Sequence, residues 1–264
     1  MIEGFQDLTG STYEKTDLSG SSYRLVLFDG STIRESDMNG VLMRGVGIDN
    51  TRIDGEIGSL VINGVDVGPI IEAELNRRDP DRTKFKPTTV DGFREAWEIN
   101  ERRWAATVDR ARLLPPDRLH ESVEGEWSFV QTLRHLAFAS ESWVGRAVLG
   151  DPSPWHPLSL QWDTFRDLKI PQDRDARPSL DEALALRQDA MALVRRVVDD
   201  LTEAELERET DPCVGPGWPP EGSTFSVRDC LSTVLNEEWH HRVYAERDLA
   251  ALEAAPATGT EAQD

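Results

Sequence analysis

The 264-residue sequence predicts an α+β protein with two domains, an amino-terminal domain of short repeats followed by a larger helical bundle. Two observations predict this architecture. Up to residue 55 an apolar residue returns every five positions, whereas from about residue 90 the apolar residues follow the period of a helix. A chain of this length is also comfortable for two domains, and its composition changes near residue 65.

The amino-terminal segment can be cut every five residues from Gln6, as QDLTG, STYEK, TDLSG, SSYRL, VLFDG, STIRE, SDMNG, VLMRG, VGIDN and TRIDG. The third place is apolar in all ten pentapeptides, from Leu8 to Ile53. The place two residues earlier is Ser, Thr or Val in every pentapeptide except the first. A period of five fits neither a helix nor a flat strand, so it indicates an internal repeat.

These pentapeptides resemble the pentapeptide-repeat family, whose members form a right-handed, quadrilateral β-helix that turns one corner every five residues. The resemblance implies that the apolar third residue and a small residue before it point inward. Stacked coils would then build a continuous core from the central column. We therefore expect a β-helix over residues 5–67, which serves as a scaffold or as a docking surface for a protein partner.

A short helix and a linker are expected at residues 68–89, where Gly68 and Pro69 suit a helix start and RDPDRTKFKPTT follows. The bundle is predicted at residues 90–252, and its first helix runs from Asp91 with apolar residues four and seven positions apart. The last residues, 253–264, are expected to form a disordered tail.

The other three helices of the bundle have clear starting signals. Ser128 and Gln131 form an S-x-x-Q capping box, and Ser179 and Glu182 form the equivalent S-x-x-E box. Ser226 opens the last helix. Four long helices with connections long enough to cross the bundle predict a four-helix bundle, a fold that builds cofactor or metal sites between facing helices.

Three residues of the bundle share one helical stripe. His135 lies seven residues after Ser128. Glu237 and His241 lie eleven and fifteen residues after Ser226. With 3.6 residues per turn, these three positions point in nearly the same direction. Glu237 and His241 present two ligand atoms on adjacent turns, and His135 would complete a facial triad of the kind found in catalytic zinc and non-haem iron sites.

Residues 90–250 resemble the DinB/YfiT-like superfamily of metal-binding four-helix bundles, through WSFVQTLRHLAFASESW and SVRDCLSTVLNEEWHHRVYAERDL. That superfamily usually presents one histidine from the second helix and an H-x-x-x-H pair from the fourth. The resemblance implies a divalent metal, zinc, nickel or iron, held by His135 and His241, with Glu237 in place of the middle histidine. His240 stays open as an alternative ligand to His241.

The resemblance also implies a function. Members include transferases and isomerases that use bacillithiol or mycothiol, so we expect a metal-dependent transferase or hydrolase that acts on a small molecule, with a low-molecular-weight thiol of the mycothiol type. The alternative is a non-catalytic binding protein with a vestigial metal site and a partner-docking repeat surface. An enzyme requires a pocket open to solvent beside His135 and His241, whereas a vestigial site is packed shut.

The composition excludes several partners. The chain has 29 basic and 49 acidic residues, a net charge of −20, which argues against nucleic acid and anionic membranes. No apolar run is long enough to span a bilayer, and the start MIEGFQDLTG lacks a signal peptide's features, so we expect a cytoplasmic protein. Cys213 and Cys230 have no CxxC partner and are expected to be reduced thiols. The oligomeric state stays open, a homodimer included.

Overall fold

The computed structural model describes residues 6–34, 36–55, 57–162 and 168–255. The chain divides into two compact units, Met1–Glu56 and Ile57–Asp264. From position 256 onward, the tail that we predict to be disordered lies outside the described residues.

The amino-terminal unit corrects the predicted fold class, because it does not form a β-helix. In the described residues 6–34 and 36–55 there is no β-strand. Main-chain hydrogen bonds there close local turns, such as Ser11 N to Leu8 O at 3.0 Å and Ser21 N to Leu18 O at 3.1 Å. The ten apolar residues in the third place are 46–65% exposed and build no core. The architecture is therefore mostly helical, and the predicted quadrilateral β-helix was wrong.

The physical reason lies in the small number of repeats. Ten pentapeptides make only two and a half four-sided coils, so most residues of the apolar column have few neighbours to stack against. Short-range hydrogen bonds close turns instead. The carboxylate of Asp7 accepts a hydrogen bond from Thr9 N at 3.0 Å, and Asp17 accepts one from Ser19 N at 2.9 Å. The five-residue period is thus expressed as repeated turns.

The second unit begins with a small antiparallel hairpin of β1 (Val61–Ile62) and β2 (Val65–Asp66). Asn63 and Gly64 connect the strands with φ angles of 50° and 83°, as a two-residue hairpin turn of type I′ requires. The α-helices that follow are α1 (Gly68–Arg78), α2 (Val90–Ala111), α3 (Phe129–Ser140), α4 (Leu180–Asp199), α5 (Glu203–Leu206) and α6 (Val227–Ala254). Pro80–Phe85 and Pro116–His120 form short 3₁₀ helices.

The four long helices α2, α3, α4 and α6 form the predicted bundle. α3 packs against α4 and α6, and α2 packs against the same two helices. The apolar stripe of α2 turns inward, so that Phe93, Trp97 and Trp104 are buried. The capping boxes that start α3 and α4 are both present, which confirms those two predictions. Within the described residues, no helix is both long enough and apolar enough to cross a membrane.

α3 does not end at Ser140 but continues as a π-helical segment, Glu141–Val148. Arg146 lies in this segment and is only 1% exposed. Its guanidinium donates to the carbonyl oxygens of Pro152, Val214 and Pro219 at 2.9–3.0 Å, and to that of Gly215. A single buried arginine therefore forms hydrogen bonds with two connections, the one that contains Pro152 and the one that contains residues 214–219.

Candidate metal centre

The helix caps determine where the candidate ligands lie along their helices. The hydroxyl of Ser128 accepts from Gln131 N at 3.3 Å, while the Gln131 side chain accepts from Ser128 N at 2.9 Å. Ser226 caps α6 in the same way by accepting from Asp229 N at 3.0 Å. Because both starts are fixed by hydrogen bonds, His135 lies about two turns into α3.

The structure brings together the three side chains that the sequence singled out. Oε2 of Glu237 lies 3.4 Å from Nε2 of His135 and 3.1 Å from Nε2 of His241. The three ligand atoms all lie within 4.8 Å of one another. We call His135, Glu237 and His241 the triad. Tetrahedral zinc with bonds of about 2.0–2.1 Å places its ligand atoms roughly 3.3 Å apart, so the two separations from Glu237 fit a cation.

The hydrogen bond on the far side of His135 sets the direction of its lone pair. Nδ1 lies 3.0 Å from the carbonyl oxygen of Leu160. A carbonyl oxygen only accepts, so Nδ1 carries the proton, and in the neutral imidazole Nε2 presents its lone pair to Glu237. Two acceptors facing each other repel unless a proton or a metal cation lies between them. The donor set therefore calls for positive charge at the centre of the triad.

The surroundings of Glu237 and His241 on α6 favour the forms in which these side chains bind a metal, the carboxylate and the neutral imidazole. Burial raises the pKa of Glu237, but the contacts with His135 and His241 outweigh burial and hold that pKa well below its usual 4.5. Burial lowers the pKa of His241 below its usual 6.5, although the contact with Glu237 opposes that shift. At neutral pH Glu237 is therefore ionised and His241 neutral, as metal binding requires.

Comparison with known families identifies the fold. Residues 99–245 match the family model of the DinB superfamily, which is more than half of the chain. The chain belongs to the DinB superfamily. The matched range runs from within α2 to within α6 and contains the whole triad. A search of curated proteins finds no match to this chain.

Aromatic side chains surround the triad of this DinB-superfamily chain. The Trp127 ring lies 4.4 Å from the His135 ring and stacks on the His241 ring at 5.8 Å, with 18° between the planes. The Trp162 ring lies 6.1 Å from the His135 ring in a T-shaped arrangement. The Tyr244 ring lies 6.0 Å from that of His241. These rings limit the water around the triad and restrict the directions from which a ligand can approach.

The three side chains of the triad differ in exposure. The side chain of His135 is 4% exposed, whereas those of Glu237 and His241 are 31% and 19% exposed. The α6 side of the site is therefore in contact with solvent, and the α3 side is closed. Trp127 and Trp162 contact the triad. Trp143 packs on Phe225 instead, and Trp155 donates to the hydroxyl of Ser142.

The neighbours of the triad on α6 have different environments. His240 lies on another face of the helix, 6.2 Å from the Tyr244 ring, and takes no part in the cluster of ligand atoms. Glu238 is completely buried and forms an ion pair with Arg187 of α4. Burial raises the pKa of Glu238, and the charge of Arg187 opposes the rise. The sequence alone did not point to this buried pair or to the Leu160 carbonyl, since both contacts depend on tertiary packing.

Proposed function

We propose that this DinB-superfamily protein is an enzyme that binds one divalent metal ion through His135, Glu237 and His241 and uses this ion in catalysis. The observation that carries the proposal is the convergence of three ligand atoms from two helices within 4.8 Å. An i, i+4 pair on one exposed helix face is usually a modest ion pair. A third ligand that arrives from a separate, buried helix is what distinguishes a metal site from such a pair.

The ligand set supports zinc, nickel or iron(II). Two imidazoles and one carboxylate form the set that catalytic zinc and non-haem iron sites use, and they leave coordination positions open. Glu237 replaces the histidine that the H-x-x-x-H pattern places four residues before His241. This exchange adds one negative charge and one oxygen ligand, which makes the site harder than a site of three histidines.

A metal ion in this site would lower the pKa of a water or thiol that it binds. The residues of the chain then have simple roles. His135 anchors the site to α3, while Glu237 and His241 leave the solvent side of α6 for a substrate. Trp127 and Trp162 keep bulk water away. We infer either hydrolysis or transfer to a low-molecular-weight thiol, in which sulfur bonds to an electrophilic carbon, the leaving group takes the bonding electrons, and the thiol proton passes to solvent.

The thiol must come from outside the chain. Both cysteines are buried, and burial raises the pKa of Cys230 to about 12. A thiol with such a pKa is protonated at neutral pH and is a poor nucleophile. A free thiol of the mycothiol type, which has exposed sulfur, is therefore the nucleophile that we propose for transfer.

A second account is favoured by the closed α3 side of the site. His135 is only 3% exposed and is covered by Trp127, as a vestigial site retained in a non-catalytic binding protein would be. The exposure of Glu237 and His241 weighs against that account.

Activity measurements separate the two accounts. The protein is loaded with zinc, nickel or iron(II) and incubated with mycothiol or a simpler thiol and a panel of electrophiles and esters. Metal-dependent turnover that disappears in His241→Ala supports the enzyme. Metal binding by the wild type without turnover of any member of the panel supports the binding protein.

A further inference from the structure

Arg134, the residue directly before His135, carries a charge but is buried. Arg134 is 1% exposed. Its guanidinium donates from Nε to Leu158 O at 2.6 Å and from Nη1 to Ala176 O at 2.7 Å, and Nη2 donates to Asp173 O. Removing a guanidinium from water costs several kcal/mol, so charge-assisted hydrogen bonds to carbonyls must offset that cost. All three acceptors belong to the connection between the π-helical segment and α4.

The same connection supplies the acceptor for the metal ligand. Leu160 N donates to Arg134 O at 3.1 Å, and Leu160 O accepts from Nδ1 of His135 at 3.0 Å. Arg134 and His135 of α3 therefore both form hydrogen bonds with one short stretch of this connection, Leu158 to Leu160. The guanidinium of Arg134 donates to the first residue of this stretch, and the imidazole of His135 donates to the last.

We propose that Arg134 is a positioning residue for the metal site. It holds the stretch 158–160 so that the Leu160 carbonyl keeps the proton of His135 on Nδ1 and leaves Nε2 for the metal. This inference rests on the proposed metal site, but its structural step, the choice of tautomer, does not require a metal. Hydrogen bonds to the far nitrogen of a ligating histidine commonly fix its orientation and basicity.

The chain contains a matched control. Arg146 is also 1% exposed, and its guanidinium hydrogen bonds likewise go to main-chain carbonyls of connections. It lies eleven residues beyond His135, and the carbonyls that it holds belong to Pro152 and to residues 214–219. Arg146→Met should destabilise the fold as Arg134→Met does, but it should leave the Leu160 carbonyl in place.

Two measurements test the inference on Arg134→Met, Arg134→Lys, Arg146→Met and the wild type. The first is zinc affinity by competition with a chromophoric chelator. Loss of an outer partner of a metal-ligating histidine costs about 10–100-fold in affinity, so we expect a loss of that size for Arg134→Met. We expect a smaller loss for Arg134→Lys, which keeps a cationic donor, and no loss for Arg146→Met.

The second measurement reads the tautomer without metal. Ring-nitrogen NMR of histidine-labelled protein, with His135 assigned by difference from His135→Asn, should show Nδ1–H in the wild type and Arg146→Met. Arg134→Met should show a mixture of tautomers. If the wild type binds no zinc, the metal proposal fails while the tautomer still tests Arg134. If both arginine-to-methionine variants give the same affinity and the same tautomer, Arg134 only stabilises the fold and the inference is overturned.

Discussion

Oε2 of Glu237 lies 3.1 Å from Nε2 of His241, one turn further along α6. His135 reaches the same carboxylate oxygen from α3 at 3.4 Å. Because the ligand atoms come from two helices, a cation bound between them would link α3 to α6. A ligand that binds only the folded state stabilises that state by mass action.

Metal should therefore raise the thermal stability of the protein. At a free metal concentration of 100 times Kd, the expected stabilisation is about 2.7 kcal/mol. We expect thermal denaturation to show a higher Tm with zinc than with a chelator, and His135→Ala to show no such difference. An equal metal-induced rise in Tm in His135→Ala would place the bound metal elsewhere.

Glu237 should be required as a charged ligand. In Glu237→Gln the side chain keeps its shape but loses its charge. We expect zinc affinity to fall by more than about 100-fold, which exceeds the loss caused by removing a hydrogen-bond partner of a metal ligand. Glu237→His restores the H-x-x-x-H pattern and should retain zinc. Chelator competition measures both variants. Unchanged zinc affinity in Glu237→Gln would remove Glu237 from the ligand set.

Glu141 should make stability depend on pH. It is buried at the start of the π-helical segment, and burial raises its pKa from 4.5 to about 7, although it accepts a hydrogen bond from His156 N. In the unfolded chain the carboxyl ionises above its usual pKa, whereas in the folded protein it stays protonated up to about pH 7. The folded state therefore binds more protons in this window, and its stability falls as pH rises through it.

Glu141→Gln tests this effect, because glutamine is neutral at every pH and its side-chain oxygen can still accept from His156 N. A shift of one pKa unit corresponds to about 1.4 kcal/mol, so the variant should be more stable than the wild type at pH 8 by about 3 kcal/mol. At pH 4.5 the two proteins should be equally stable. Urea denaturation at both pH values measures this, and a difference that does not change with pH would contradict the assignment.

The two charges of the buried ion pair of Arg187 and Glu238 should contribute to stability because they compensate each other. Removing one partner leaves an uncompensated buried charge, so Arg187→Met should lower the free energy of unfolding by about 3–5 kcal/mol. Replacing both residues by methionine should recover most of that loss, since apolar pairs of similar volume often equal buried ion pairs. Urea denaturation of the single and double variants is the measurement. A double variant no more stable than the single one would show that packing rather than charge determines the loss.

The triad could be predicted because the information that places it is local. Ser128 and Ser226 fix where their helices start, and the helical period then determines which side chains share a stripe with His135. The pairing of Glu237 with His241 follows from a spacing of four residues. These are backbone regularities, and they hold whatever the tertiary packing of the bundle.

The residues around the triad could not be predicted in the same way. The Leu160 carbonyl and the contacts of Arg134 depend on the path of a long connection, which packing determines. One signal was present in the sequence, since an arginine directly before His135 in an apolar helix is expected to need buried partners. No sequence rule indicated that the helix would change to π-helical geometry after Ser140.

The amino-terminal repeats show the limit of periodicity as evidence. Apolar residues from Leu8 to Ile53 keep one phase, but phase does not tell whether neighbours are close enough to bury them. These side chains remain about half exposed, and the main-chain hydrogen bonds close local turns. Burial, and not periodicity, decides whether such a segment builds a core.

The metal content of untagged protein tests the central claim most directly. Wild type, His241→Ala and His240→Ala are purified, incubated with zinc, nickel or iron(II), freed of excess metal and analysed by elemental mass spectrometry. His240 is the matched control, because it is adjacent in sequence but lies outside the cluster of ligand atoms. We predict about one equivalent in the wild type and His240→Ala, and little in His241→Ala. No bound metal in the wild type, or equal binding in all three proteins, would contradict the account.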